Sequence, residues 1–588
     1  MSFHPNDVAR RARMSSMALA IGFVLLVGAF FKTQVIHYKQ YVMQSEENRL
    51  RPIPLPAPRG IIYDRHGEVI AENLPAYSVS ITAPSVDSLR NALAQLAPTL
   101  QLGQNDINNA VRRYRRAPTR PTVILPDATI DIVSVLEEHR LDFPRLIIQS
   151  VPKRYYPDGP SVASFVGYTG EITESDLNDP KYASYKPGQQ VGKAGLEKQY
   201  EGILHGKEGV RFDEVDARGR PVRGEGPRPD LNPEGAPPLF TNIDLDLQKF
   251  TVGIFADSLQ GGAIAIDPNT GEVLALYSAP SWDPNKFTGG IPVEYYKQLL
   301  EDKRRPLVNK VIQGTYPPGS TFKLATSIIG LELGVVGVNE HMPVPCTGGY
   351  QFGNRYFRCW EKKGHGSLGL EGAIKHSCDV YFYQLGLKIG LAKFIAGGIK
   401  LTMRDKSGID LPEETQARWP YAIDYYNKKY GARGWSNAET LNLAIGQGSN
   451  SQTVVNMAKL YSAFATKGQA PRPEIAHLVP QRKEVFRLTG EQDSVVLEGL
   501  KAVLEAGGTA GASAIQGLTL AGKTGTAQNT GGADHGWFVG FAPADHPKIV
   551  VAVLLEFGLH GSRAAHIASA IIGRYLKVGP IKAVMDEG

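Results

Sequence analysis

Ser320 and Lys323 stand three positions apart where the turn Pro317-Pro318-Gly319 runs into the apolar stretch from Phe322 to Leu331. A helix starting at about Ser320 puts both side chains on its first turn, the lysine beside the hydroxyl. A free serine hydroxyl is a weak nucleophile at neutral pH, and a desolvated lysine next to it is a base able to take its proton. Backbone N–H groups at a helix start also favour the negative charge that develops in acyl transfer. Ser-x-x-Lys by itself describes many ordinary helix starts. Two further groups sharpen it: His376-Ser377-Cys378-Asp379 ahead of the run Val380-Tyr381-Phe382-Tyr383, and Lys523-Thr524-Gly525-Thr526 after the strand-like Leu518-Thr519-Leu520-Ala521. A lysine and a threonine on a strand present charge and hydroxyl to a carboxylate, and Gly525 leaves room for a substrate backbone laid along the strand edge. The chemistry these residues suit is acyl transfer on a peptide that ends in a free carboxylate.

In order and spacing, Ser320-x-x-Lys323, Ser377-x-Asp379 and Lys523-Thr524-Gly525 resemble the three signature motifs of the serine acyltransferases that include penicillin-binding proteins and serine β-lactamases. From about Arg59 to Leu576 the chain is similar to class B penicillin-binding proteins. Their second motif usually reads Ser-x-Asn, and the aspartate at 379 resembles the elongation-type branch, penicillin-binding protein 2. The change matters chemically, because an ionised carboxylate accepts hydrogen bonds and donates none. The resemblance implies a peptidoglycan D,D-transpeptidase of cell elongation and rod-shape maintenance, with D,D-carboxypeptidase cleavage as a side activity. It further implies a catalytic set of Ser320, Lys323, Ser377, Asp379 and Lys523. Ser320 is then the nucleophile, Lys323 its base and Ser377 a proton relay, while the backbone N–H groups of Ser320 and Thr526 hold the oxyanion. Lys523, Thr524, Gly525 and Thr526 bind the substrate, and catalysis needs no cofactor. Implied partners are peptidoglycan stem peptides, lipid-linked nascent glycan, β-lactam antibiotics, a SEDS-family glycosyltransferase and other elongation-complex proteins. Two alternatives share these features: a membrane-anchored β-lactam sensor or hydrolase, and a scaffold that activates a membrane glycan polymerase.

These residues need a scaffold, and the chain of 588 residues is long enough for an enzyme core with accessory modules. Arg10, Arg11 and Arg13 precede an uncharged stretch of 18 residues, Met14 to Phe31, long enough to span a bilayer. Positive charge on the N-terminal side predicts a cytoplasmic tail over 1–13, a single-pass anchor over 14–36 in the bacterial inner membrane, and a periplasmic remainder. A cleaved export signal is the alternative. A polar stalk follows through Leu50, and the non-catalytic pedestal is expected over 37–235, resembling the dimerisation module of the family. Within it Asp64 and Arg65 flank a hairpin turn and read as an ion pair, and Arg112-Arg113-Tyr114-Arg115-Arg116 reads as a solvated helix face. The Gly/Pro/Arg-rich interval from Arg218 to Pro238 breaks every periodicity and marks the boundary to a transpeptidase domain over 236–588. There the pattern of paired strands, a central helical block and returning strands predicts an α+β fold with helices on both faces of an antiparallel sheet. By resemblance this is the penicillin-binding, or serine transpeptidase, fold.

The net charge of +6 is small for this length and spread along the chain, which argues against a nucleic-acid partner. All three cysteines fall in one short interval, where Cys346, Cys359, His365 and Cys378 form a C-x12-C-x5-H-x12-C pattern. Three thiolates and an imidazole suit a structural Zn²⁺ site, with His376 as a substitute for His365. A Cys346–Cys359 disulfide with Cys378 buried, or three unrelated buried thiols, are the other readings.

Overall fold

The computed structural model describes residues 5–39, 41, 50–118, 120–143, 145–214, 229–255, 258–529 and 531–578. The stalk from 42 to 49 and the boundary interval from 218 to 228 lie outside the described residues. The first helix, Pro5–Phe31, continues in a π-helical turn, Lys32–Ile36, and carries Arg10, Arg11 and Arg13 on its opening turns. Its apolar side chains are exposed, Leu19 by 75% and Phe23 by 70%. Among the described residues this is the one helix long and apolar enough to cross a membrane.

The chain forms two compact units. The first comprises Met1–Pro58, Pro75–Pro152 and Lys207–Gly235. In it Leu50–Leu55 pairs antiparallel with Gly209–Glu214. Ser85 caps the helix Val86–Leu100 by accepting from Ser88 N–H. Leu89, Leu93, Leu96 and Leu100 form one apolar stripe of that helix and meet Val111 and Leu136 in a core. On the helix Gln104–Arg116, Tyr114 turns into this core while Arg112, Arg115 and Arg116 stay exposed, the solvated face expected of that run.

The second unit comprises Arg59–Leu74, Lys153–Gly206 and Ala236–Gly588. Its centre is an antiparallel sheet of five strands: β1 (Gly261–Ile266), β2 (Val273–Ala279), β3 (Ala521–Ala527), β4 (His535–Ala542) and β5 (Ile549–Leu555), ordered β2-β1-β5-β4-β3. Every residue of β5 is fully buried, so both faces are covered. The helices Leu245–Ile254 and Gly561–Leu576 pack on each other and on the sheet, and Val454–Ala465 packs on β1, β4 and β5. This is the α+β arrangement expected from the sequence. The two sheet edges differ. At β2 the amide of Gln248 occupies the edge, donating to Leu276 O (2.9 Å) and accepting from Leu276 N–H (2.9 Å), which blocks pairing there. β3 forms the opposite edge and carries Lys523-Thr524-Gly525.

Two stretches inside the 37–235 interval, Arg59–Leu74 and Lys153–Gly206, share the core of this second unit, through Ile62, Tyr156, Phe165 and Leu196. The physical reason is a buried ionic network that draws them together. Glu197 Oε2 accepts from Arg59 Nη2 (2.8 Å) and its Oε1 from Arg154 Nε (2.6 Å); Glu201 Oε2 accepts from Arg59 Nη2 (2.8 Å) and Gly192 N–H (2.8 Å). Burial pushes both carboxyls up, but the guanidiniums and, at Glu201, the His205 hydrogen bond outweigh it, holding Glu197 below the ordinary range and Glu201 at about 2. Asp64 does not pair with Arg65, as its position beside the turn suggested. Its Oδ1 accepts from the backbone N–H of His66 (2.7 Å) and Glu68 (2.8 Å), closing the hairpin turn, while Arg65 reaches Glu272 at 3.2 Å. The Glu197→Gln variant leaves the buried Arg154 guanidinium without a carboxylate and Arg59 with Glu201 alone, and is expected to lose about 3 kcal/mol or more of stability, read as a lower melting temperature. A carboxyl whose folded pKa lies below its unfolded 4.5 contributes stability above pH 4.5 that disappears as pH falls towards 2, so acid titration of the parent chain should show that loss, attributable in part to Glu201.

Candidate active site

Gly319 opens the Ser320 turn in the left-handed region, φ +54°. A Cβ there would lie 2.5 Å from Thr526 O, so only glycine lets the turn press against β3. The segment Gly319–Phe322 is a 3₁₀ turn and the α-helix proper begins at Lys323, one turn later than the sequence suggested, with Ser320 and Lys323 still on consecutive parts of one coil. Phe322 is fully buried against Trp419 and Phe394 (ring centroids 5.2 and 6.5 Å), and Tyr461 Oη donates to Thr321 O (2.9 Å). The turn is therefore pinned from below while Ser320 stays partly open to solvent.

Lys323 is fully buried, and its Nζ donates to Ser377 O (2.7 Å), Ser377 Oγ (3.1 Å) and Asp379 Oδ1 (2.8 Å). A buried ammonium needs such partners, because desolvation without them is prohibitive. Ser377 lies between the helices Leu370–Lys375 and Asp379–Ile389 at φ +53°, a strained conformation for a residue with a Cβ and one found at functional turns. Asp379 opens its helix, where a negative charge is favoured by the helix dipole. Its second oxygen, Oδ2, accepts from Trp360 N–H at 3.1 Å. Both oxygens of Asp379 thus act as acceptors. An asparagine would turn an NH₂ towards one of these two donors, which accounts for the departure from Ser-x-Asn.

On β3, Lys523 is fully buried and Thr526 is exposed. Burial first, then the positive charge of Lys323, pushes the Lys523 ammonium well below its ordinary range, with Asp379 opposing. Gly525 faces the Ser320 turn: a Cβ there would sit 2.9 Å from Pro318 O and 3.0 Å from Thr321 Cγ2. The glycine is required by packing between the first and third motifs, a reason additional to substrate clearance. Three residues outside the motifs also touch the site. Gln447 Nε2 donates to Thr526 O (3.3 Å), Thr509 Oγ1 lies 2.7 Å from Thr524 Oγ1, and Trp360 holds the second motif by its backbone N–H and by Nε1 donating to His376 O (3.0 Å). Only Gln447 carried a local signal, the flanking pair Gly446 and Gly448 at φ +73° and +74°.

Beside the second motif, the ligand atoms of Cys346, Cys359, His365 and Cys378 all lie within 4.8 Å of one another. His365 Nδ1 is 3.7 Å from Cys346 Sγ and 3.6 Å from Cys359 Sγ, and the three cysteines are free thiols. Cys346 and Gly366 exchange backbone hydrogen bonds (2.9 and 3.0 Å), which folds the segment back on itself. The ring of His376 stacks on His365 at 5.9 Å.

Residues 261–573 match the family model of the penicillin binding protein transpeptidase domain, and residues 54–232 match that of the penicillin-binding protein dimerisation domain. The chain is 32% identical to the peptidoglycan D,D-transpeptidase MrdA of Acinetobacter baumannii, over 99% of this chain and 91% of that one. It is 30% identical to MrdA of Escherichia coli K12, over 96% and 93%. Among solved structures, PBP2 of Helicobacter pylori in its complex with MreC matches with a TM-score of 0.79 at 27% identity, covering 90% of this chain and 99% of that one. Pseudomonas aeruginosa PBP2 in complex with WCK 5153 matches at 0.65 and 30% identity, covering 89% and 97%. With the Ser320 turn packed on β3 and Lys323 bonded to Ser377 and Asp379 inside a matched transpeptidase domain, and relatives aligned along nearly the whole chain, this protein belongs to the penicillin-binding proteins, in the group of PBP2.

Proposed function

We propose that this protein is a peptidoglycan D,D-transpeptidase that cross-links stem peptides during cell elongation. The observation that carries the reading is the hydrogen bonding of Lys323 Nζ to both Ser377 and Asp379 while the Ser320 turn packs on β3. A stem peptide ending in D-alanyl-D-alanine lies along the β3 edge, its carboxylate at Lys523, Thr524 and Thr526. Lys323 in its neutral form takes the proton as Ser320 Oγ attacks the penultimate carbonyl, and the backbone N–H groups of Ser320 and Thr526 hold the oxyanion. Ser377 Oγ, 3.1 Å from Lys323 Nζ, passes that proton to the amine of the departing D-alanine. An amine of a neighbouring stem peptide then attacks the acyl-enzyme, returns Ser320 to its hydroxyl form and completes the cross-link. Asp379 holds Lys323 in place throughout.

A β-lactam presents a strained amide and a carboxylate to the same groups. Labelled penicillin is expected to form an adduct at Ser320 that persists for minutes or longer. An adduct mapped to another residue contradicts the site, and turnover faster than about once per second favours a hydrolase.

Arg10, Arg11 and Arg13, on the opening turns of the first helix and ahead of its apolar stretch, support an N-terminal tail in the cytoplasm and a catalytic unit in the periplasm. Similarity to the PBP2 of a PBP2–MreC complex, and to a chain of a peptidoglycan synthase complex that coordinates polymerization and crosslinking (TM-score 0.71, 29% identity), supports partners among elongation proteins and a SEDS-family glycosyltransferase.

We further propose that Cys346, Cys359, His365 and Cys378 bind a structural Zn²⁺. Tetrahedral zinc with ordinary Zn–S and Zn–N bonds has S···N edges of about 3.5 Å, and the two S···N separations of 3.6 and 3.7 Å fit that size. The ion would tie Cys378 to the 346–365 segment and so steady Ser377. Metal analysis of untagged protein should find one zinc with intact thiols, and Cys378→Ser should lower both metal content and the rate of penicillin acylation. No zinc, together with a mass two hydrogens short, would end this reading.

A further inference from the structure

Thr509 lies outside all three motifs, on the turn that follows the helix Gly490–Ala502, with its Oγ1 2.7 Å from Oγ1 of Thr524. The turn is held from several sides. Gly508 N–H donates to Glu505 O and Ala510 N–H to Val503 O, both at 2.9 Å, and a Cβ on Gly508 would lie 2.3 Å from the carbonyl oxygens of Ala502 and Val503. The helix before it is fixed in turn, since a Cβ on Gly499 would sit 2.9 Å from Ile374 Cβ, on the helix that leads into Ser377. The Thr509 hydroxyl is therefore presented to Thr524 by backbone that has little room to move.

A pair of hydroxyls sharing one hydrogen bond has one proton in the bond and one free. Thr524 binds an anion only if the free proton is its own. That requires Thr509 to be the donor, a direction that the 2.7 Å separation of the two hydroxyls permits. With Thr509 as donor, the Thr524 O–H points away from Thr509 before any ligand arrives, and no rotor has to be reset on binding. Removing Thr509 leaves the Thr524 hydroxyl free to turn and to spend its proton elsewhere.

We infer that Thr509 is a positioning residue for substrate carboxylate recognition: it donates to Thr524 Oγ1 and so aims the Thr524 hydroxyl at the carboxylate of the peptide or β-lactam. The inference rests on the proposed placement of that carboxylate at Lys523, Thr524 and Thr526. It makes Thr509 a determinant of selectivity for ligands that carry a carboxylate, distinct from any part in bond making at Ser320.

The test compares acylation of the full chain in detergent by a labelled penicillin and by the methyl ester of the same compound, which lacks the carboxylate. Thr509→Val is expected to slow the acid by about tenfold, the size of one hydrogen bond to a charged group, while the ester stays within about twofold. Thr509→Ser, which keeps the donor, should restore the acid-over-ester preference. Equal losses with both probes would show a structural role only and overturn the inference, as would an unchanged rate with the acid. Absence of a Ser320 adduct on the unmodified chain strikes the proposed function itself, and the inference falls with it.

Discussion

Lys323 is an amine with no exposure to water, and the site is arranged around the acceptors that meet it. Burying an amine's donors is costly unless acceptors replace their hydration. Here Ser377 supplies two acceptors and Asp379 one, so the first and second motifs are locked together by the same bonds that solvate the lysine. Asp379 is fixed in turn by Trp360 N–H, and Ser377 is held in a left-handed conformation that an isolated chain would avoid. The third motif joins through packing: Gly319 and Gly525 allow the Ser320 turn and β3 to approach as closely as backbone atoms permit. Lys523 then finds itself buried near a fixed positive charge and loses basicity, while Lys323 keeps its three partners. Two lysines in one small site are thereby given unequal environments, the arrangement by which enzymes assign separate roles to like groups.

The sheet shows the same division between fixed and open parts. Gln248 occupies the outer edge at β2, so strand addition is blocked there. At β3 the edge bears an exposed Thr526, with Thr524 held by Thr509 and Thr526 O held by Gln447. Under the proposed function, a peptide laid along this edge meets groups that are already placed, and ordering entropy is not spent on the protein side.

That Ser320 and Lys323 share one coil was legible in the sequence, because they are three residues apart and local spacing determines what shares a helical turn. The β3 strand and the covered antiparallel sheet were legible for a similar reason, since apolar runs and turn residues are local signals. The role of Asp379 was visible only as a departure from Ser-x-Asn. Its cause, a second donor from Trp360, comes from 19 residues upstream through a fold that spacing does not report. Gly525 looked like clearance for substrate and proved also to be clearance for Pro318 and Thr321. The association of Arg59 with Glu197 spans 138 residues, so no window of sequence showed that two parts of the 37–235 interval pack within the second unit. Asp64 beside Arg65 looked like a pair, yet backbone N–H groups within the turn took the carboxylate first. Contacts fixed by tertiary packing, above all those of Thr509 and Trp360, left no local trace.

The most direct test of this account is the rate at which penicillin acylates the Asp379→Asn variant. The amide keeps one acceptor but removes the charge beside Lys323 and sets a donor against either Lys323 Nζ or Trp360 N–H. Acylation of Ser320 is expected to slow by about tenfold or more in a chain that still folds. A rate equal to that of the parent chain would show that the carboxylate does not hold Lys323 in its working position, and would contradict the account.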